Sequence, residues 1–210
     1  MNDVAAGKTD REESYGQRGV SMVDRFGVYL SKRAIFRNLT KRSGLSALDL
    51  GCGYHATLLH AIHPSLESGV GVDLKISDAA RRTPQLSYIE GTVEDVLPRL
   101  EDGRFDLILF ISVLEHIWDP AVALKHCHRL LKSGGVLLVN VPTWRGKFFL
   151  EFSAFKLGAS PAVEMDDHKM YYDKRDLWPL LVRGGFAPSR LKLRYHKFGL
   201  NLFAAATKNQ

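Results

Sequence analysis

Asp49 and Asp73 are the residues best placed to do chemistry. Each closes an apolar run, Ala47-Leu48-Asp49 in the first case and Gly69-Val70-Gly71-Val72-Asp73 in the second. Between them, Gly51-Cys52-Gly53-Tyr54 reads as a tight turn that leads into a helix-compatible stretch. Strand, glycine turn, helix, strand and acid is the order in which a doubly wound α/β sheet builds a nucleoside crevice at the carboxyl ends of its strands. The second acid follows the first glycine by about 20 residues, the spacing that suits a pair of ribose hydroxyls.

The nucleoside is decided by the first acid. Gly51, Gly53 and Ala56 also satisfy G-x-G-x-x-[G/A], so a nicotinamide dinucleotide stays open. A dinucleotide sets its pyrophosphate against the turn and the helix N-terminus, where Asp49 would add a like charge. S-adenosylmethionine has no phosphate and carries a sulfonium and an ammonium, both of which tolerate or favour an acid beside the turn. A strand-to-helix turn that binds nothing is the plain structural alternative.

Further motifs follow in register. After the third strand comes Glu90-Gly91-Thr92-Val93-Glu94-Asp95, and the fourth strand reads Phe105-Asp106-Leu107-Ile108-Leu109-Phe110-Ile111-Ser112-Val113-Leu114-Glu115-His116. The fifth is announced by Leu130-Leu131-Lys132-Ser133-Gly134-Gly135-Val136-Leu137-Leu138-Val139. In order and spacing, over about 45–142, the chain resembles the class I S-adenosylmethionine-dependent methyltransferases, and more narrowly their small-molecule, ubiquinone-pathway O-methyltransferase branch. The resemblance implies S-adenosylmethionine as cofactor. It implies a cofactor site at Asp49, Gly51, Gly53, Asp73, Leu74, Thr92, Val93 and Ile111. His55 stands where many relatives carry a third glycine, and Thr92 where they often carry an acid toward the adenine amine.

The elements that must position these residues follow from the pattern. Strands are expected at about 45–50, 69–74, 86–90, 105–111 and 135–141, the fourth as a continuous apolar run typical of a buried parallel strand. Helices are expected at about 19–42, 55–63, 120–132 and 174–183. Asp119 is the expected N-cap of the third of these, with Pro120 at its first position and Gly134 just beyond its end. The runs at about 187–196 and 200–207, joined by a turn with Gly199, read as a hairpin. The expected fold is therefore Rossmann-like α/β. It has a seven-stranded, mostly parallel sheet, helices on both faces and an antiparallel terminal hairpin. Residues 1–44 form a polar, disordered tail and a helical region, and 45–210 the methyltransferase domain, with 143–170 as a lid-like insertion.

Methyl transfer asks the protein mainly for in-line positioning and desolvation. An alcohol or phenol acceptor also needs a base, and histidine titrates in the right range. His116, leaving the fourth strand, is the first candidate and His168, in Asp166-Asp167-His168-Lys169-Met170-Tyr171-Tyr172, the second. The expected reaction is O-methylation of a small or lipid-linked hydroxylated molecule. An RNA or protein methyltransferase is an alternative, and a non-catalytic S-adenosylmethionine-binding partner protein is another. The chain has Ser112-Val113-Leu114-Glu115 where amino-directed nucleic-acid methyltransferases carry Asn/Asp-Pro-Pro-Tyr, which argues against nucleic acid.

Composition bounds the remainder. The 210 residues suffice for one substantial α/β core and carry a net charge of +6. Basic residues gather at Arg25, Lys32, Arg33, Arg37, Lys41 and Arg42, interleaved with apolar ones. Such a helix can track phosphates, lie on an anionic membrane or pack its apolar face on the domain. Phe148, Phe152 and Phe155 fall at helical spacing between Arg145, Lys147 and Lys156, so 144–158 reads as a substrate lid, a membrane contact or a satellite core. Two cysteines, Cys52 and Cys127, form no C-x-x-C, and no metal is expected. His126-Cys127-His128 reads as ordinary helix, because positions two apart do not share a face. Met1–Lys8 has no apolar stretch of the signal-peptide kind, and a cytoplasmic setting, peripheral to membrane at most, is expected. The oligomeric state is not legible.

Overall fold

The computed structural model describes residues 22–39, 43–148 and 169–209. The tail at 1–18, most of the aromatic segment and His168 lie outside the described residues. Among those described, seven strands form one sheet in the order β3-β2-β1-β4-β5-β7-β6. They are β1 (Leu45–Leu50), β2 (Leu66–Asp73), β3 (Leu86–Glu90), β4 (Phe105–Ile111), β5 (Leu131–Pro142), β6 (Leu191–His196) and β7 (Asn201–Thr207). β1 to β5 pair in parallel, and β7 pairs antiparallel with both β5 and β6. The chain reverses between β1 and β4, so β1 and β4 leave the sheet on either side of the switch point at which such sheets bind ligands.

Among the described residues the bounded helices are α1 (Met22–Asn38), α2 (Thr57–Ile62), α3 (Val93–Val96), α4 (Pro120–Leu130) and α5 (Lys174–Arg183), and residues 144–148 are also helical. Asp119 caps α4 as expected, its side chain accepting from the Val122 N–H at 3.1 Å, with Pro120 opening the helix. α5 carries a capping box between Asp173 and Asp176. Leu48, Leu50, Ile108, Phe110, Leu137 and Val139 face α4 and α5. Their alternating neighbours Ala47, Leu107, Leu109 and Leu138 face α1 and α2. The continuous apolar runs thus divide by parity between two cores, which a parallel sheet covered on both faces requires.

α1 packs its apolar side on this second core. Ile35 is fully buried, Val28, Ala34 and Phe36 are half-buried, and Arg33 and Arg37 point to solvent. Burial of Ile35 contributes about 1.5–3 kcal/mol, so the basic helix is first a structural element of the domain. The three consecutive residues that resemble metal ligands point to different surroundings. Cys127 is in the core, His126 approaches Arg129 at 3.3 Å, and His128 stands edge-on to Phe186.

Several elements differ in their bounds from the sequence expectation, one of them β6, which begins only at Leu191 after a 3-10 turn at Pro188–Arg190. β2 begins at Leu66, which pairs with Leu45 across a register shift. α2 covers only Thr57–Ile62, and Pro64 opens a separate 3-10 turn. α4 ends at Leu130, and Leu131 already pairs with Phe105. Gly134, with φ +76°, serves an irregularity inside β5 and not the end of a helix.

Asp106 ties the starts of three strands together. Its Oδ2 accepts from the Ser46 N–H at 2.9 Å, the Ser46 hydroxyl at 2.7 Å and Lys132 Nζ at 2.8 Å. Partial burial alone would raise its pKa, but Lys132 and Ser46 outweigh that and bring it to about 2. A depressed carboxylate stabilises the fold above its ordinary value of 3.8, and that contribution is lost as pH falls toward 2. Asp106→Asn is therefore expected to cost about 1–2 kcal/mol in urea unfolding at pH 7. Near pH 2 the two proteins should converge, and an equal gap at both pH values would contradict this role.

Candidate functional site

The carboxyl ends of β1, β2 and β4 meet at the glycine turn. Gly51 and Cys52 both donate their N–H groups to the Val72 carbonyl, at 2.8 and 3.0 Å, which clamps the turn after β1 onto β2. Gly51 has φ +68°, and a Cβ there would fall 2.2 Å from the Val113 side chain, so only glycine fits. Ala56, fully buried and left-handed at φ 46°, opens α2. The third special position of the turn is therefore Ala56 and not His55, whose ring lies T-shaped against Tyr54.

Asp73 is the organising acid. Its Oδ2 accepts from the Gly53 N–H at 2.7 Å and its Oδ1 from the Leu74 N–H at 2.8 Å. A carboxylate accepts about four hydrogen bonds, so each oxygen of this half-buried side chain keeps capacity for a hydroxyl donor. At the end of β3, Glu90 Oε1 accepts from the Ile76 N–H at 2.9 Å and from Arg81 at 2.6 Å. The two acids thereby fix Leu74–Ile76 along the mouth of the crevice.

Asp49 is buried, 2 % exposed, and one of its oxygens has no hydrogen-bond partner. Burial, and then the charge of Asp73, push its pKa up to about 8. Such a group lacks a cation or a donor. An ammonium or sulfonium suits this place and a phosphate does not, so the residues present fit S-adenosylmethionine better than a dinucleotide.

The remaining sequence candidates are distributed around this centre. Thr92 caps α3. Its hydroxyl accepts from the Asp95 N–H at 3.1 Å and donates to Asp95 Oδ2 at 2.7 Å, so its proton is spent on Asp95. The Val93 side chain is in the core, which leaves its backbone for a ring contact. Ile111 ends β4, half-buried beside the α1/α2 core. His116 closes a 3-10 turn, Leu114–His116, is half-buried, and its N–H donates to the Val113 carbonyl at 2.9 Å. His168 is outside the described residues. Among those described, no group of His, Cys, Asp or Glu side chains could hold a metal ion.

Sequence reasoning passed over four residues. Glu115 is buried, and its carbonyl accepts from the N–H groups of Lys169 and Met170 at 2.8 and 3.3 Å, where the chain returns from the insertion. Ser112 holds φ +57°. Asn140 and His196 each have a buried side-chain atom without a partner. Asn140 carried a signal, as the single polar residue in Val136-Leu137-Leu138-Val139-Asn140-Val141.

The ordered sheet, its switch point and the glycine turn between two acids form a doubly wound α/β crevice, the class of fold that holds nucleosides at this place. Residues 48–139 match a family described as "Methyltransferase domain". A probable S-adenosylmethionine-dependent methyltransferase of Mycolicibacterium smegmatis is 33% identical over 124 residues, 51% of this chain and 42% of that protein. A ubiquinone biosynthesis O-methyltransferase of Bradyrhizobium diazoefficiens is 35% identical over 123 residues, 54% of this chain and 46% of that protein. The chain thus spans less than half the length of these two relatives. A structure of the Haloferax volcanii Trm112 methyltransferase activator in complex with a methyltransferase has a chain alike in fold, with TM-score 0.69 and 17% identity over 90% of this chain and 92% of that one. Over residues 48–139 the chain is thus similar to methyltransferase domains, and its sheet has the fold of a solved methyltransferase complex.

The buried acid has a thermodynamic consequence. Its folded pKa of about 8 exceeds the ordinary 3.8, so folding favours the protonated form. The penalty sets in as pH rises past about 4 and is complete above about 8. Asp49→Asn should then unfold with the wild type near pH 4 and resist urea better at pH 8. A wild type that gains stability relative to Asp49→Asn over that window would show that Asp49 is already compensated.

Proposed function

We propose that this protein is a methyltransferase that uses S-adenosylmethionine to O-methylate a small or lipid-linked hydroxylated molecule. The observation that carries the cofactor half is the buried, unmet oxygen of Asp49 beside Asp73 at the glycine turn. The acceptor half is supported by the relatives named for ubiquinone biosynthesis and by the residues leaving β4.

When bound, S-adenosylmethionine supplies an electrophilic methyl group on a sulfonium. Asp49 would face the cationic methionine end, with Ile111 on the same side. Asp73 and Leu74 would take the ribose hydroxyls, Gly51 and Gly53 would let the backbone approach, and the Thr92–Val93 turn would meet the base. His116 would accept the proton of the acceptor hydroxyl, with His168 as the second candidate. The protein's work is orientation, exclusion of water and that one proton.

The rim of the crevice supports a lipid-proximal acceptor. Residues 144–148 are helical, and Trp118, Trp144, Phe148 and Phe198 are exposed. Lys147 lies over Trp144 and Tyr171, and Lys169 over Trp118, at 4.8–5.8 Å from the ring centroids. Exposed aromatics interleaved with lysines suit the interface of an anionic bilayer. No helix among the described residues is long and apolar enough to cross a membrane.

Calorimetric titration tests the cofactor. Asp73→Ala should weaken S-adenosylhomocysteine by about 1.5–3 kcal/mol. S-adenosylmethionine binding near pH 7 should release a proton, because a cation beside Asp49 lowers a pKa of about 8. Affinity for NAD without affinity for S-adenosylmethionine would sink the proposal. For the base, His116→Gln should slow single-turnover methylation by about 10²–10⁴ with cofactor affinity unchanged. A near-normal rate would remove His116 from the role. Flotation with phosphatidylglycerol vesicles, lost on Phe148→Ser, separates a membrane contact from a purely local lid.

A further inference from the structure

Asp73, Asp49, Ile111, Asn140, Phe203 and His196 occupy successive strands β2, β1, β4, β5, β7 and β6. Strand parity puts them all on the sheet face covered by α1 and α2. Their neighbours of the same parity Ala47, Leu107, Leu138 and Ala205 belong to that core. Register places Asn140 opposite Ile111 on one side and opposite Phe203 on the other. The His196 ring lies 6.0 Å from that of Phe203. If the cationic end of the cofactor lies at Asp49, the next positions along the row, beyond Ile111, are Asn140 and then Phe203.

Two of these side chains are incompletely satisfied. Asn140 is 1 % exposed, donates to the Ser112 hydroxyl at 3.4 Å, and its Oδ1 has no partner. His196 Nε2 is likewise buried without one. A buried amide oxygen or imidazole nitrogen left unmet costs about 1–3 kcal/mol, and natural cores rarely keep one without a use. Ser112, next to Asn140, is exposed and held at φ +57°, a conformation that costs a non-glycine residue about 1–3 kcal/mol and recurs at functional sites.

We infer that Asn140 and His196 bound an acceptor slot, in which Asn140 Oδ1 takes a hydrogen bond from a hydroxyl of a flat ring that lies against Phe203. His196 stands opposite Asn201, two residues along from the Asn140–Phe203 pair, so it lies two strand spacings across and about 7 Å along from Asn140, roughly 12 Å away, and a ring whose hydroxyl meets Asn140 crosses Phe203 with its opposite edge toward His196. His196 is lowered in pKa by burial and by Lys197, so it meets the far end of the ring as a neutral imidazole. Asn140 is a positioning group that touches substrate. This inference rests on the methyltransferase reading for the identity of the occupant, and on the geometry of β5, β6 and β7 for its place.

The test uses the full chain, isotopically labelled, with catechol as the probe. The Asn140 side-chain amide and the His196 ring resonances, assigned through Asn140→Leu and His196→Phe, are followed with and without saturating S-adenosylhomocysteine. Catechol should move both sets. Asn140→Leu should weaken catechol by about tenfold while S-adenosylhomocysteine affinity stays within about twofold. The same variant should melt no lower than the wild type, because leucine removes an unmet carbonyl. Unmoved resonances, or unchanged catechol affinity in Asn140→Leu, overturn the slot. A clearly lower melting temperature of that variant makes the amide structural and overturns it too. Catechol that moves both sets in a protein that fails to bind S-adenosylhomocysteine would uphold the slot and reject the methyltransferase reading.

Discussion

The crevice at the switch point is organised around two carboxylates brought to one end of the sheet. The parallel pairing of β1 with β2 puts Asp49 and Asp73 at the same end of the sheet, and their mutual repulsion adds to the cost of burying Asp49. Asp73 is relieved by two backbone N–H groups, from Gly53 and Leu74. Asp49 is not relieved to the same extent, and its proton is held up to about pH 8. A fold that tolerates this has a reason for it, because replacing the acid by an apolar residue would remove the penalty. The glycines, the clamp on the Val72 carbonyl and the contact of Val113 with Gly51 all serve to hold the two acids at one turn.

Much of the fold was legible because buried parallel strands write themselves as unbroken apolar runs. β4 is Phe105–Ile111 as expected, and the cap at Asp119 with Pro120 behind it fixed the start of α4. The terminal hairpin was legible from its turn, where Gly199 and the left-handed Lys197 and Phe198 reverse the chain. The boundaries that moved did so through tertiary pairing. Leu131 looks like the last residue of an apolar helix face, but Phe105 recruits it into the sheet. Gly134 looks like a helix stop and serves an irregular strand, and local propensity holds no signal for that choice.

The candidate site was legible in its acids and glycines and illegible in its partners. Asp49 and Asp73 follow from type and spacing. The engagement of Thr92 with Asp95 does not, because a threonine three residues before an acid is equally a cap and a ligand contact. Asn140 needed the register of three strands before it could be placed beside Ile111. Glu115 needed the return of the insertion. The Tyr172 N–H donates to the Pro142 carbonyl at 3.0 Å, and Lys169 and Met170 donate to Glu115, so the segment closes back on the strand it left. Sequence distance hides such a closure altogether.

The two faces of the sheet are chemically unequal, and the inequality follows from the parity of single residues. Toward α4 and α5, the strands present aliphatic and aromatic side chains up to the ends of β4 and β5, at Phe110 and Val141. Toward α1 and α2, the same strands place Asp73, Asp49, Asn140 and His196 at or near those ends. A shift of one residue in any strand would exchange the faces and bury these groups against α4. Register is fixed by the apolar residues deeper in each strand, where Leu48 and Ile108 admit no slip. The packing of one core therefore positions the polar groups on the opposite face, whose apolar part α1 covers through Ile35 and Phe36.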